Sequence, residues 1–144
     1  MEVVNECASL LSNYEVFSLL EDINQGKNGH RKPNSRQQNL ATVCYETLKY
    51  LEKTPCKQQD PNVIQEFCNK LKPFQLTKAE KLQLLNQRPT TAVEIQLLIE
   101  ESEERLSEEQ TEKLLDIIAQ RVPGLEEKPA EEDESDDQQS MDDN

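Results

Sequence analysis

The sequence predicts an all-α fold: a small multi-helix domain followed by a disordered acidic tail. Apolar residues recur at three- and four-residue spacing in several segments, which is typical of helices with one buried face. No segment shows sustained apolar-polar alternation, although residues 2–4 could form a short edge strand. Capping pairs of the Ser/Thr-x-x-Glu/Gln type come just before four of the periodic segments. They are Ser12 with Glu15, Thr77 with Glu80, Thr91 with Glu94, and Ser107 with Gln110.

The first two predicted helices lie in the N-terminal third of the chain. The first begins after the Ser12 cap and ends near Asp22. The second extends from about Gln37 to Lys53, where Thr54-Pro55 ends it because proline cannot continue a helix. The basic loop between them, residues 25–37, is interpreted as a flexible connection, and contact with phosphate or an acidic partner is the alternative.

Four more helices are predicted in the remainder of the domain. Asp60 provides an N-cap for the third helix, with Pro61 at its first position, and Pro73 ends it. The fourth and fifth helices flank the Arg88-Pro89 dipeptide. The sixth helix extends from about Glu108 to Arg121, before Pro123.

The stretch NQRPTT between the fourth and fifth helices predicts a sharp corner. Asn86 is the expected C-cap because asparagine tolerates the left-handed conformation. Pro89 excludes Arg88 from helical geometry, and Thr91 begins the next helix. The acidic run 100–104 is interpreted as a solvated helix face with Glu101 and Arg105 paired, and an acidic docking surface for a basic partner is the alternative.

Charge separates the chain into one domain and a tail. The 144 residues carry a formal charge of −13, and 34% of them are hydrophobic. Residues 126–144 hold ten acidic residues against one lysine, which leaves about −4 for residues 1–125. Such a segment has too little apolar surface to offset its ordering entropy. We therefore predict a helical domain at 1–125 and a disordered tail at 126–144.

The sequence offers no catalytic, cofactor-binding or metal-binding residues. The four cysteines form no C-x-x-C pair, the single histidine has no ligand-like neighbours, and phosphate-binding or nucleophile motifs are missing. No apolar run approaches the roughly 18 residues that a membrane span needs, which predicts no direct membrane insertion. The acidic charge also disfavours independent high-affinity binding of nucleic acid.

Three segments together resemble a known protein family: LLSNYEVFSLL at 10–20, NLATVCYETLKYLEKTPC at 39–56, and LTKAEKLQLLNQRPTTAVEIQLLIEESEERL at 76–106. The chain is similar to the ninth subunit of RNA polymerase III, a family also called the calcitonin gene-related peptide receptor component proteins. The similarity covers essentially all of residues 1–122. It weakens in the basic loop within this range and in the acidic tail that follows it.

The resemblance implies a non-catalytic role in transcription. Members of this family form the helical half of the polymerase stalk with an OB-fold partner subunit, contact the polymerase core, assist initiation factors, and reside in the nucleus. Residues 60–122 resemble an HRDC-type helical domain. The alternative that the resemblance implies is a peripheral accessory protein coupling the receptor complex to G-protein signalling, in the cytoplasm and at the plasma membrane.

The predicted partner interface is centred on the first helix. That helix and the residues before it carry more apolar side chains than a single buried stripe needs, which suits a helix covered on two sides. By analogy with the family, the corner region is a second candidate. The predicted interface residues are Leu10, Leu11, Tyr14, Val16, Phe17, Leu20, Leu85, Arg88 and Pro89.

Overall fold

The computed structural model describes residues 2–5 and 9–125, and within them the fold is all-helical, as predicted. Residues 2–4 form no strand. The predicted acidic tail at 126–144 lies outside the described residues. The described elements are α1 (Asn13–Gln25), α2 (Gln38–Leu51), a 3-10 turn (Pro55–Gln58), α3 (Pro61–Lys70), α4 (Lys78–Gln87), α5 (Ala92–Leu98), α6 (Ser102–Arg105) and α7 (Glu108–Arg121).

Of the seven α-helices among the described residues, five begin at predicted cap residues, while α2 and α6 begin without a side-chain cap. Thr77, Thr91 and Ser107 each form both hydrogen bonds of a capping box. The Ser12 hydroxyl accepts a hydrogen bond from the backbone N–H of Glu15 at 3.2 Å, and the Asp60 carboxylate accepts one from Val63 at 2.8 Å. These bonds span three residues, so sequence spacing alone is sufficient to predict them.

Two predictions about the middle of the chain are wrong. Asn86 is the penultimate residue of α4, and Arg88 is the C-cap, in the left-handed conformation with φ 48°. The second error is the pairing of Arg105. The chain leaves helical geometry at Ile99, and Glu101 has a φ of 52°, so α6 is a separate short helix. Arg105 consequently pairs with Glu80 across the fold instead of with Glu101 along one helix.

Helices α3 to α7 enclose the larger of two apolar cores. Its members come from α3, α4, α5 and α7 and from the residues that follow α3, α5, α6 and α7. They are Phe67, Leu71, Leu84, Leu85, Ile95, Ile99, Leu106, Leu114, Ile118 and Val122. This core lies within the region predicted to be HRDC-like.

Helices α1 and α2 form an N-terminal hairpin with a smaller core. Phe17, Leu51 and Cys56 are buried there, and partly buried side chains of both helices pack against them. The Gly26 C-cap, with a φ of 67°, ends α1 in the left-handed conformation that glycine adopts without steric cost. Among the described residues, the hairpin core has three buried members and the α3–α7 core has ten, so the hairpin buries less apolar surface.

Two hydrogen bonds connect the hairpin and its 3-10 turn to α4. The backbone N–H of Asn13, at the first turn of α1, donates to the Asn86 side chain at 2.9 Å. The Gln59 amide nitrogen donates to the Leu85 carbonyl at 3.1 Å. In an uninterrupted helix that carbonyl would accept from residue 89, which is a proline without an N–H. Gln59 thus supplies the donor that Pro89 lacks.

Candidate partner interface

The predicted interface residues of the N-terminal segment differ widely in exposure. Phe17 is buried in the hairpin core, while Leu10 and Leu11 retain 57% and 42% of their exposure. Tyr14, Val16 and Leu20 are half-buried. The structure thus divides this set into core residues and residues that are accessible to a partner.

Further apolar side chains of the hairpin, which the sequence reasoning did not select, are also exposed. Val43 and Tyr50 lie seven residues apart on α2, beside the stripe that contains Cys44 and Leu51. Their spacing on the flank of the buried stripe is the sequence signal that could have identified them. We use the term hairpin surface for the exposed apolar residues Leu10, Leu11, Leu19, Val43, Tyr45 and Tyr50.

The predicted corner residues are engaged within the chain. Leu85 is 2% exposed and Pro89 is buried, so both side chains belong to the domain interior. The Arg88 Nε atom donates to the Val122 carbonyl at 2.7 Å, and this carbonyl lies at the C-terminal end of α7. The Arg88 side chain therefore links the end of α4 to the end of α7.

A sequence profile of the family described as RNA polymerase Rpb4 matches residues 10–121, a range that includes all the described helices from α1 to α7. The chain belongs to the RNA polymerase Rpb4 family. This membership confirms the prediction that the chain resembles a polymerase stalk subunit.

Relatives of this Rpb4-family chain carry names that specify one polymerase. It is 32% identical over 129 residues to "DNA-directed RNA polymerase III subunit rpc9" of Schizosaccharomyces pombe, a match covering 85% of this chain and all of the relative. The Saccharomyces cerevisiae protein "DNA-directed RNA polymerase III subunit RPC9" is 25% identical over 159 residues, covering 83% and 98% of the two chains. The Dictyostelium discoideum rpc9 is 29% identical over 104 residues, covering 67% and 73%. None of these names refers to a receptor.

The surroundings of Glu80 and Cys56 shift the pKa values of these two groups. The Arg105 guanidinium bonds both oxygens of Glu80, at 2.6 and 2.8 Å, and lowers the pKa of that carboxyl to about 2. Burial raises the pKa of the Cys56 thiol, to which the Thr54 hydroxyl donates a hydrogen bond. A buried thiol with a raised pKa is a poor nucleophile. Cys56 therefore acts as a small core residue.

Two further features, metal-binding clusters and membrane-spanning helices, are absent from the described residues. Within residues 2–5 and 9–125, no group of histidine, cysteine, aspartate and glutamate side chains is arranged to hold a metal ion. The helices of these two segments are too short or too polar to cross a membrane.

Proposed function

We propose that this chain is a non-catalytic subunit of RNA polymerase III that acts in the nucleus and forms the stalk with an OB-fold partner subunit. Membership of the Rpb4 family and the names of the relatives support the assignment to the polymerase. Within the complex, the subunit connects its partner to the polymerase core and assists initiation factors at promoters. The receptor-associated alternative has no support among the relatives.

The hairpin surface is the observation that carries the proposed heterodimer. The hairpin buries few side chains, while Leu10, Val43 and Tyr50 are each more than half exposed. Exposed apolar side chains around a small core favour association with another protein, since burying one such side chain contributes roughly 1.5–3 kcal/mol. A partner subunit covering both helices would complete the hairpin core. We propose Leu10, Leu11 and the half-buried Tyr14, Val16 and Leu20 as interface residues together with Val43 and Tyr50.

Co-expression with the OB-fold stalk subunit tests this proposal. We expect a 1:1 complex that elutes as one peak in gel filtration at micromolar concentration. The double variant Leu11→Ser/Tyr50→Ser should weaken the complex by about 100-fold or more, because two anchoring apolar contacts are lost.

The variant Leu97→Ser is the matched control, because Leu97 is 81% exposed on α5, far from the hairpin in sequence. It should leave the heterodimer intact. Circular dichroism of each variant alone establishes that the helices are retained. Separate elution of the two wild-type proteins would contradict the heterodimer, and an unchanged affinity of the double variant would contradict the hairpin surface.

A further inference from the structure

Helix α5 carries a second exposed apolar surface that the hairpin assignment does not explain. Val93 is 64% exposed and Leu97 is 81% exposed, and they lie one turn apart on a helix of only seven residues. The opposite side of α5 packs against the larger core, where Ile95 is completely buried. We use the term α5 ridge for Val93 and Leu97.

A groove lies between α5, α6 and α7, and α5 lines it with Ala92 and Gln96, each of which directly precedes a residue of the α5 ridge. Its volume is about 530 Å³, and its lining includes the apolar side chains of Ala92, Leu106 and Leu115. A neighbouring hollow of about 360 Å³ shares Gln96, Ser102 and Glu103 with it, so the two depressions adjoin at α6. A volume of this size accommodates more than one side chain of a bound segment.

Carboxylates border the groove. Glu103, Glu108 and Glu112 line it, and Glu104 lies in the neighbouring hollow. Within the described segments, none of these four carboxylates forms an ion pair with a lysine or arginine of the chain. A groove with a partly apolar lining and unpaired carboxylates is complementary to a ligand that combines aliphatic and cationic side chains.

We propose that this groove and the α5 ridge form a docking site for a basic amphipathic segment of another protein, separate from the hairpin surface. Aliphatic side chains of the segment contact Leu97, Val93 and the groove floor, and its lysine or arginine side chains pair with the bordering carboxylates. Nucleic acid and anionic membranes would be repelled by the same carboxylates. A second copy of the chain would bring two acidic borders together, and the formal charge of −13 opposes that contact.

The test uses the full-length chain labelled with ¹⁵N and a synthetic helical peptide with leucines one turn apart and lysines beside them. A comparison peptide has glutamate in place of every lysine. We expect the lysine peptide to shift amide resonances of α5, α6 and α7, with an affinity that falls as salt is added. The glutamate peptide should bind at least about tenfold more weakly.

Variants separate this site from nonspecific attraction to the acidic chain. Leu97→Ser should weaken the lysine peptide by about tenfold or more. Glu108→Gln/Glu112→Gln should weaken it by about two- to tenfold. Val4→Ser and Glu46→Gln, at exposed positions outside the groove, are the matched controls and should leave the affinity for the lysine peptide unchanged. Unchanged spectra of the free variants outside their own surroundings establish that they are folded.

Four outcomes would overturn the proposal. The first is an absence of binding by the lysine peptide, and the second is equal binding of both peptides. The third is resonance shifts confined to the hairpin or to residues 126–144. The fourth is concentration-dependent self-association that Leu97→Ser abolishes, which would identify a second copy as the occupant. The heterodimer test described above is unaffected by any of these results.

Discussion

The Arg105 side chain forms four hydrogen bonds, more than any other lysine or arginine side chain within the described residues. Through them, a single residue of α6 binds α4. Its guanidinium bonds both Glu80 oxygens and also donates to the carbonyls of Gln75 at 2.8 Å and Glu100 at 3.0 Å. Such a two-oxygen pairing of arginine with carboxylate is stronger than a single-point contact. Glu80 also completes the capping box of α4. The same carboxylate therefore caps the start of α4 and binds Arg105 of α6.

The lowered pKa of Glu80 predicts a specific loss of stability in acid. The folded pKa of about 2 lies below the ordinary value of 4.5, so the stabilisation is fully present above pH 4.5 and is lost as the pH falls toward 2. With solvent screening included, its magnitude is on the order of 2 kcal/mol. We expect the free energy of unfolding of Glu80→Gln to fall less steeply than that of the wild type over this range, as measured by urea titration at several pH values.

Glu109 provides the matched control for this prediction. It pairs with Lys113 at 2.7 Å one turn away on α7, and that contact lowers its pKa, but both side chains are mostly exposed. Exposed pairs of this kind contribute little. Glu109→Gln should therefore leave the acid dependence close to that of the wild type. Equal slopes for the wild type and Glu80→Gln would contradict a stabilising role for the Arg105 pair.

At the scale of elements, the corner between α4 and α5 determines how the end of α7 is held. Pro89 disfavours helical geometry at Arg88, which adopts φ 48° and ψ 62°, and the arginine side chain then reaches the Val122 carbonyl. Gly124 packs closely enough that a Cβ there would lie 3.3 Å from the Arg88 Cζ atom. The proline that interrupts the helical pattern thus has a structural consequence 33 residues later in the chain, at Val122.

Removal of the Arg88 side chain should destabilise the domain without affecting the heterodimer. We expect Arg88→Ala to cost about 1–2 kcal/mol, because the Val122 carbonyl loses a charge-assisted hydrogen bond. Arg88→Gly loses the same bond but relieves the positive φ, so its cost should be smaller by about 1 kcal/mol. Chemical denaturation measures both values, and gel filtration with the partner subunit measures binding.

Arg31→Ala is the control, since Arg31 is an exposed residue of the loop between α1 and α2. It should be neutral in both measurements. A stable Arg88→Ala variant that fails to bind the partner would instead place the corner in the interface. Reduced stability with unchanged binding would agree with a purely structural role.

At the scale of the whole molecule, the structure consists of two apolar cores joined in part by polar contacts. Asn86 accepts from the first turn of α1, and Gln59 donates to the carbonyl that Pro89 leaves without its helical donor. Both contacts converge on the last turns of α4. The smaller hairpin core depends on this junction for its coupling to the larger unit, because it buries little apolar surface of its own.

Weakening the junction should uncouple the two cores. All three tyrosines, Tyr14, Tyr45 and Tyr50, lie in the hairpin, and the chain has no tryptophan, so tyrosine fluorescence reports the hairpin while far-ultraviolet circular dichroism reports all helices. In urea, the two signals should coincide for the wild type. In Gln59→Met/Asn86→Ala, which should lose about 2–3 kcal/mol of coupling, the tyrosine signal should change at lower urea.

Gln58→Ala/Gln87→Ala is the matched control, because these exposed residues adjoin the substituted positions. Its two signals should still coincide. Coincident transitions in Gln59→Met/Asn86→Ala would mean that apolar packing, and not the two hydrogen bonds, couples the hairpin to the rest of the domain.

The sequence by itself determined the all-helical class and the residue at which most helices begin. Caps such as Ser12, Thr77 and Ser107 act on groups three residues away, and the apolar period reflects one face of one helix, so both are local properties of the chain. The sequence also showed the family resemblance, because the motif residues around the corner lie within one continuous segment, residues 76–106.

Only the tertiary structure decided which distant groups meet and which apolar side chains remain exposed. Arg105 meets Glu80 across 25 residues, and Asn13 meets Asn86 across 73. Such contacts depend on the directions of α1, α4 and α6, and these directions follow from the packing of all helices together. The same packing buries Leu85 and Phe17 but leaves Leu10 and Leu97 exposed, although all four are large apolar side chains. Exposure is a property of the assembled fold, and hydrophobicity alone does not determine it.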